Sequence, residues 1–241
     1  HVDDNMIATK GKQFYADYLK RLTSKFDVAE AALTSHLGTN YHFSEDNTKV
    51  LIEQTSQVEK MLKEFGFENC STANAETAVA AGAIQPNAAD CEDTDVEPFD
   101  MESFVGHGTY LCMCTRPDIS QPLKILSRHT KKFGKRHVAW AKHLLRFLRG
   151  TKSQGLTYRS GFPLYIQIFT DASHASDIDT RRSITSVVIK VGGNTVYWKS
   201  SFTKIVSHSS TESELMALDI GATLSEMVRW HRREGRNGRS Y

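Results

Sequence analysis

Cysteine is scarce in this sequence, and long apolar runs are missing. Only four of the 241 residues are cysteines, and the Cys112-x-Cys114 pair does not have the spacing of a zinc knuckle. Without a signal peptide, all four cysteines are expected to be reduced thiols in an intracellular protein, in a cytoplasmic particle or the nucleus. No apolar stretch approaches the roughly 20 residues that a membrane span requires. We therefore expect no disulfide framework and no membrane partner, and no small-molecule substrate is apparent.

The chain also lacks an excess of charge of either sign. It has 30 Lys and Arg against 28 Asp and Glu, a formal net charge of +2. The distribution is uneven, because seven acidic residues lie between Asp90 and Glu102, whereas ten Lys or Arg and no acid lie between Ile119 and Lys152. The chain begins at His1 without a methionine, so we expect part of the natural chain to precede it.

The basic run predicts a surface for nucleic acid. Residues 135–149 have the apolar periodicity of an amphipathic helix, which leaves the cationic side chains on one side. Such a stripe can neutralise phosphates and makes binding depend on salt, and a solvated helix face is the alternative. The interleaved His129, His137 and His143 are expected to add charge at lower pH. One further hypothesis is that the acidic run 90–102 folds back over this stripe. The stripe comprises Lys131, Lys132, Lys135, Arg136, Lys142, Arg146, Arg149 and Lys152, with Arg181 and Arg182 as a smaller candidate.

The last third of the chain predicts three strands followed by one long helix. Gly192-Gly193-Asn194 is a hairpin signal between the second and third runs. A helix is expected at about 211–232, opened by Thr211 and Glu214 in capping-box spacing. Asp171 directly follows the first apolar run, where a carboxylate is a frequent metal ligand, and Glu214 falls in the first helical turn. A turn-forming Asp and an N-terminal helix acid are the simpler explanations of the two residues taken singly.

In combination, these features resemble the copia-type retrotransposon ribonuclease H. That family has an Asp after its first strand, then D-x-x-x-R-R-S, a G-G-x-x-x-x-W-x-S stretch and S-S-T-E-x-E. The matching residues are Asp171, then Asp177 with Arg181-Arg182-Ser183, then Gly192-Gly193 with Trp198 and Ser200, then Ser209-Ser210-Thr211-Glu212-Ser213-Glu214.

Earlier segments resemble the end of the same family's reverse transcriptase. The chain has TRPDI at 115–119, LSR at 126–128 and LLRFLRGT at 144–151. Phe65-Gly66-Phe67 with Cys70 resembles the R-F-G-M-x-x-C stretch of the family, and HVDD at 1–4 resembles the Y-V-D-D of the polymerase site. The resemblance is weakest at 70–100.

The resemblance implies two carboxylate sites that use Mg²⁺ or Mn²⁺ as cofactor. Asp3 and Asp4 would serve the polymerase, and Asp171 and Glu214 would serve a nuclease acting on an RNA–DNA hybrid. The family's further carboxylates, upstream of Y-V-D-D and after the long helix, are not in these 241 residues, so we expect a catalytically incomplete fragment. A non-catalytic nucleic-acid-binding remnant and a functionless relic are the alternatives. Other segments of the polyprotein are possible partners.

The fold class expected is α/β, a helical thumb or connection region followed by an incomplete ribonuclease H-like sheet with one long helix. We divide the chain into four parts. They are the end of the reverse-transcriptase palm and a thumb-like region (1–69), an acidic, Ala-rich linker or poorly ordered loop (70–102), a helical basic connection (103–160) and a truncated ribonuclease H-like domain (161–241).

Overall fold

A computed structural model describes residues 6–7, 9, 12–74 and 85–236. Its α-helices are α1 (Lys12–Thr23), α2 (Thr55–Glu64), α3 (Met101–Cys114), α4 (Ser120–Leu126), α5 (Lys135–Gly150) and α6 (Ser210–Arg236). Its strands are β1 (Ser35–His36), β2 (Thr39–Phe43), β3 (Lys49–Glu53), β4 (Leu156–Arg159), β5 (Ile166–Ser173), β6 (Ile184–Val191) and β7 (Asn194–Phe202). Short 3-10 helices cover Ala88–Glu92 and Pro117–Ile119. The described residues therefore form a mixed α/β structure, which confirms the predicted α/β class.

The first sheet joins distant parts of the chain. Its order is β1-β2-β3-β4, and all neighbouring strands are antiparallel. The β2–β3 hairpin is local, but β4 comes about a hundred residues later and pairs Tyr158 with Val50. The region predicted to be a helical connection thus contributes an edge strand to the sheet that precedes α2.

The second sheet consists of three antiparallel strands in the order β5-β6-β7. Gly192 and Gly193 have φ angles of 56° and 77°, the positive values that a two-residue hairpin turn between right-handed twisted strands needs. Helix α6 packs on β5, and a Cβ on Gly221 would lie 2.6 Å from Thr170 Cγ2. The glycine thus lets the helix approach the strand closely.

The main hydrophobic core lies among α2, α3, α4 and α5. Phe104, Leu126, Ala141 and Leu145 are each fully buried. The apolar stripe predicted for α5 faces this core, which leaves Lys and Arg on the opposite side. None of the helices within 12–74 and 85–236 combines the length and apolar content that a membrane crossing requires.

Two residues of the family-like motifs, Arg116 and Trp198, make hydrogen bonds that connect separate elements of the fold. Arg116 is 1% exposed and pairs with Asp118 at 2.7 Å. Its guanidinium also donates to the carbonyl oxygen of Thr151 at 3.0 Å. This contact joins the TRPDI segment to the end of α5. Trp198 of β7 similarly donates its indole N–H to the Cys112 carbonyl at 2.8 Å, which connects the second sheet to α3.

Two local predictions near the carboxylates were wrong. Strand β5 continues through Ser173, so Asp171 lies within the strand and not after it. The capping residues of α6 are Ser209 and Glu212, because Ser209 Oγ accepts from the Glu212 N–H at 3.1 Å. Glu214 consequently lies beyond the first helical turn, whose acidic residue is Glu212.

Candidate nucleic-acid interface

The acidic run packs along the basic stripe. Within the stretch predicted to be a linker or a poorly ordered loop, Ala88–Glu92 forms a 3-10 helix capped by Asn87. Four carboxylates of residues 90–97, here called the acidic segment, pair with four cations at or near the start of α5. The pairs are Asp90–Arg136, Glu92–Lys132, Asp95–Lys135 and Glu97–Lys142, with N···O distances between 2.5 and 3.4 Å. The hypothesis that acids fold back over the stripe is confirmed.

The acidic segment is attached by more than side-chain ion pairs. Asp93 accepts from the backbone N–H of Lys135 at 2.8 Å, at the start of α5, where a helix favours negative charge. Beyond its C-terminal end, Phe99 stacks against Phe65 and Phe104 with ring centroids 5.2 and 5.7 Å apart. The Lys132–Glu92 and Lys135–Asp95 pairs are largely exposed, and such pairs add little to stability. The phosphates of a polyanion can therefore compete for these lysines.

Three of the remaining stripe residues surround the C-terminal end of α5, and Lys131 precedes its N-terminal end. Lys152 pairs with Glu59 at 2.6 Å, and the Arg149 guanidinium donates to the Glu68 carbonyl at 2.7 Å. Arg146 lies over the Phe67 ring, 5.8 Å from its centroid. Lys131 is exposed and has no ion pair among the described residues.

A cavity of about 740 Å³ opens between α2 and the end of α5. Lys60 and Lys63 of α2 line it together with Arg149 and Lys152. Lys60 and Lys63 were not predicted from the sequence, because they lie about ninety residues before Arg149 and Lys152. No local pattern indicates that α2 packs beside α5. Four cationic side chains and two acidic residues, Glu59 and Glu68, thus line the cavity at the end of α5 that the acidic segment does not reach.

Two of the three predicted histidines, His129 and His137, do not extend the basic surface, and for His143 the prediction stays open. His129 is 8% exposed and His137 is fully buried. Burial lowers the pKa of His129, and the neighbouring Arg128 lowers it further. Burial and the nearby His129 lower the pKa of His137 to about 4. At the pH values where an exposed histidine gains charge, the His137 ring therefore stays neutral, and His129 gains its charge at a lower pH than an exposed histidine does.

Arg181 and Arg182 are exposed in the turn between β5 and β6 and have no ion pair among the described residues. Asp177, from the same motif, is 2% exposed and binds Arg128 of the LSR segment. Burial raises the Asp177 pKa, but hydrogen bonds from Thr180 and Arg128 outweigh it and lower the pKa. Asp177 therefore acts as a structural anion that ties the second sheet to α4, a contact between residues 49 positions apart.

Of the four predicted carboxylate ligands, only Asp171 and Glu214 are among the described residues, and they lie on different faces of the second sheet. Asp3 and Asp4 lie outside the described residues. Ile168 and Thr170 face α6, so alternation along β5 directs Asp171 to the opposite face of the sheet. Glu214 is exposed on α6. Among the described residues, the one group of three potential metal ligands within 4.8 Å of each other contains neither carboxylate. The described residues therefore do not form a set of ligands for two divalent ions.

A buried hydroxyl network lies where β5, β6 and α6 meet. His174 Nδ1 lies 2.9 Å from Ser213 Oγ, and Ser183 Oγ lies 2.9 Å from both Ser213 Oγ and Ser207 Oγ. Ser183, Ser207 and Ser213 are each at most 4% exposed. Hydrogen bonds of Ser213 to His174 and Ser183 thus connect α6 to the second sheet.

Comparison with known proteins shows which proteins the chain is similar to. It is 29% identical over 90% of its length to the retrovirus-related Pol polyprotein from transposon TNT 1-94 of Nicotiana tabacum. It is 27% identical over 89% of its length to a putative transposon Ty5-1 protein of Saccharomyces cerevisiae and spans 68% of that protein. The secreted RxLR effector protein 161 of Plasmopara viticola is 34% identical over 48% of this chain, and the match spans 82% of the effector.

Retrotransposon Pol polyproteins are thus among the relatives of the chain, which supports a copia-type Pol origin. The chain spans 16% of the length of the tobacco polyprotein. No family model and no solved structure matches the chain.

Proposed function

We propose that this chain is a nucleic-acid-binding part of a copia-type Pol polyprotein, of reverse transcriptase and ribonuclease H ancestry, that contacts RNA–DNA hybrid without cleaving it alone. The observation that carries the proposal is the row of cations along α5, four of which already hold carboxylates. An anionic segment lying on this row shows that the spacing suits successive negative charges. Phosphates of a nucleic-acid backbone present the same kind of charge.

Binding begins, in this proposal, at the C-terminal end of α5, which the acidic segment does not cover. Lys60, Lys63, Arg149 and Lys152 line the cavity there. The sugar-phosphate backbone of the nucleic acid then extends along α5 and displaces the acidic segment from Lys132, Lys135 and Lys142. Contacts of this kind neutralise phosphates, so they position a nucleic acid without reading its sequence.

The proposal assigns no cleavage to the described residues. Two-metal phosphodiester chemistry needs carboxylates that hold both ions about 4 Å apart. Asp171 and Glu214 lie on different sides of the second sheet, so we propose that they are inherited from a ribonuclease H site that this chain does not complete. Mg²⁺ or Mn²⁺ would accordingly not be needed for binding.

The test combines binding and cleavage of one substrate, a fluorescently labelled RNA–DNA hybrid. The full chain is compared with a Lys60→Gln, Lys63→Gln, Lys152→Gln variant and with a control of equal charge, Lys25→Gln, Lys49→Gln, Lys204→Gln. We expect salt-dependent binding that weakens in the first variant and not in the control. Equal weakening in both variants would show that only net charge matters and would contradict a defined interface.

The same preparations are incubated with Mg²⁺ or Mn²⁺ beside an Asp171→Asn variant. We expect no cleavage from either protein. Cleavage by the unaltered chain that disappears in Asp171→Asn would show that Asp171 belongs to a working site, and the non-catalytic part of the proposal would be wrong.

A further inference from the structure

Three nitrogen and sulfur ligands meet where the acidic segment touches the helical core. Cys91, His129 and His137 each offer a ligand atom, and these atoms lie within 4.8 Å of one another. Cys91 comes from the 3-10 helix of the acidic segment, His129 follows α4, and His137 lies in the first turn of α5. The C-x-C pair that attracts attention in the sequence is not involved.

The distance between the first two ligands suits one metal ion. Cys91 Sγ lies 3.5 Å from His129 Nδ1. A tetrahedral ion bound to sulfur at about 2.3 Å and to nitrogen at about 2.0 Å requires an S···N separation of about 3.5 Å. The other ring nitrogen of His129 lies 3.9 Å from Asp179 Oδ2. A carboxylate that accepts from the outer nitrogen of a histidine ligand fixes the ring's tautomer in metal sites, and Asp179 would have to move closer by several tenths of an ångström to do so.

The third ligand has an unexplained polar atom. His137 is fully buried, and its Nδ1 accepts from the Gly134 N–H at 3.1 Å. Its Nε2 is buried without any hydrogen-bond partner. Leaving such a group unsatisfied is unfavourable, so native proteins rarely retain one without a role. A metal ion provides a partner for this nitrogen.

We propose that Cys91, His129 and His137 bind a borderline divalent transition-metal ion of the Zn²⁺ class. One thiolate and two imidazoles are the ligands that such ions prefer over Mg²⁺. A cavity of about 440 Å³, lined by Cys91 and His129 among others, adjoins the cluster and admits the ion and a water as fourth ligand.

Proton changes accompany binding. The Cys91 thiol releases its proton to solvent and gives up its hydrogen bond to the Lys132 carbonyl, now 3.0 Å long. In the metal-free ring the proton of His137 is on Nε2, because Nδ1 accepts a hydrogen bond. Coordination through Nε2 moves that proton to Nδ1, and the Gly134 N–H loses its acceptor.

Binding would also tie the acidic segment to α5, because Cys91 belongs to the segment and His137 to the helix. The site itself does not depend on the proposed function, and its test needs no nucleic acid. Co²⁺ serves as the probe, since tetrahedral thiolate coordination gives visible ligand-field bands and a near-ultraviolet charge-transfer band.

Reduced full-length chain is titrated with Co²⁺ and then with Zn²⁺, and Cys91→Ser is compared with the matched control Cys70→Ser. We expect one saturable Co²⁺ site per chain with a thiolate band, displaced by Zn²⁺, kept in Cys70→Ser and lost in Cys91→Ser. Far-ultraviolet circular dichroism checks that both variants fold. Zn²⁺ should also shift the Gly134 amide resonance.

Three results would overturn the inference. They are Co²⁺ uptake that does not saturate, a thiolate band that persists in Cys91→Ser, and an equal loss of the band in Cys70→Ser. Circular dichroism spectra that show both variants to be folded make the last two results decisive, and the first depends on the unaltered chain alone.

Discussion

Neutralising the acidic segment should expose the basic face of α5 and strengthen nucleic-acid binding. The variant Glu92→Gln, Asp95→Asn, Glu97→Gln keeps the size of each side chain and removes the ion pairs to Lys132, Lys135 and Lys142. Asp90 is left unchanged, because its carboxylate accepts from the Asn87 N–H and caps the 3-10 helix. The fold of the segment should therefore survive.

In the unaltered chain, phosphates reach Lys132, Lys135 and Lys142 only after the acidic segment has left them, so the breaking of three ion pairs opposes binding. The variant has no such pairs to break. Exposed ion pairs contribute little individually, so the affinity should rise by roughly tenfold in total. The same three lysines contact phosphates in both proteins, so the dependence of log affinity on log salt should stay similar.

Fluorescence anisotropy with a labelled RNA–DNA hybrid at several salt concentrations measures these affinities. A control, Asp27→Asn, Glu45→Gln, Asp219→Asn, changes the net charge equally but alters exposed carboxylates outside the acidic segment. We expect the control's affinity to match that of the unaltered chain. Equal affinities for all three proteins, or an equal rise in the variant and the control, would refute the idea that the acidic segment occupies phosphate positions.

Three further predictions concern stability and are measured by urea unfolding. Gly221→Ala places a Cβ against β5 and should lower the free energy of unfolding by about 1–3 kcal/mol. Gly106→Ala has open space around its Cβ and should raise the free energy of unfolding by about 1 kcal/mol. A rise in both variants would contradict the close packing of α6 on β5. Arg116→Met leaves Asp118 without its buried partner and should cost about 3 kcal/mol, so an unchanged midpoint would be inconsistent with the buried pair. Burial raises the pKa of Glu53, but hydrogen bonds from Thr55, His42 and Asn40 outweigh it and lower the pKa to about 2. The stability this provides is present above pH 4.5 and is lost as the pH falls toward 2, and Glu53→Gln should lose less stability over that range.

The sequence predicts those elements whose defining residues are close together along the chain. Helix α5 follows from its apolar period, and the β6–β7 hairpin follows from Gly192 and Gly193. The pairing of β4 with β3 brings Tyr158 to Val50, and no local signal indicates it. The α6 cap was placed two residues late because Thr211 and Glu214 have the same spacing as Ser209 and Glu212, so spacing alone does not distinguish them.

The same distinction applies to the candidate site. Composition located the basic stripe and its acidic counterpart, since both are continuous in sequence. Composition did not predict that His137 is buried, because the neighbouring Lys135 and Arg136 are exposed. The side chain of His137 points into the core only because of its position on the inner face of α5. Nor did composition predict Lys60 and Lys63, or the meeting of Cys91 with His129, since these contacts depend on tertiary packing.

Amide hydrogen exchange of the full chain, with and without RNA–DNA hybrid at low salt, tests the central claim most directly. If nucleic acid takes the place of the acidic segment on α5, exchange across residues 88–97 should accelerate on binding, while α5 stays protected. If the hybrid binds and residues 88–97 keep their protection, the basic face of α5 is not where nucleic acid binds.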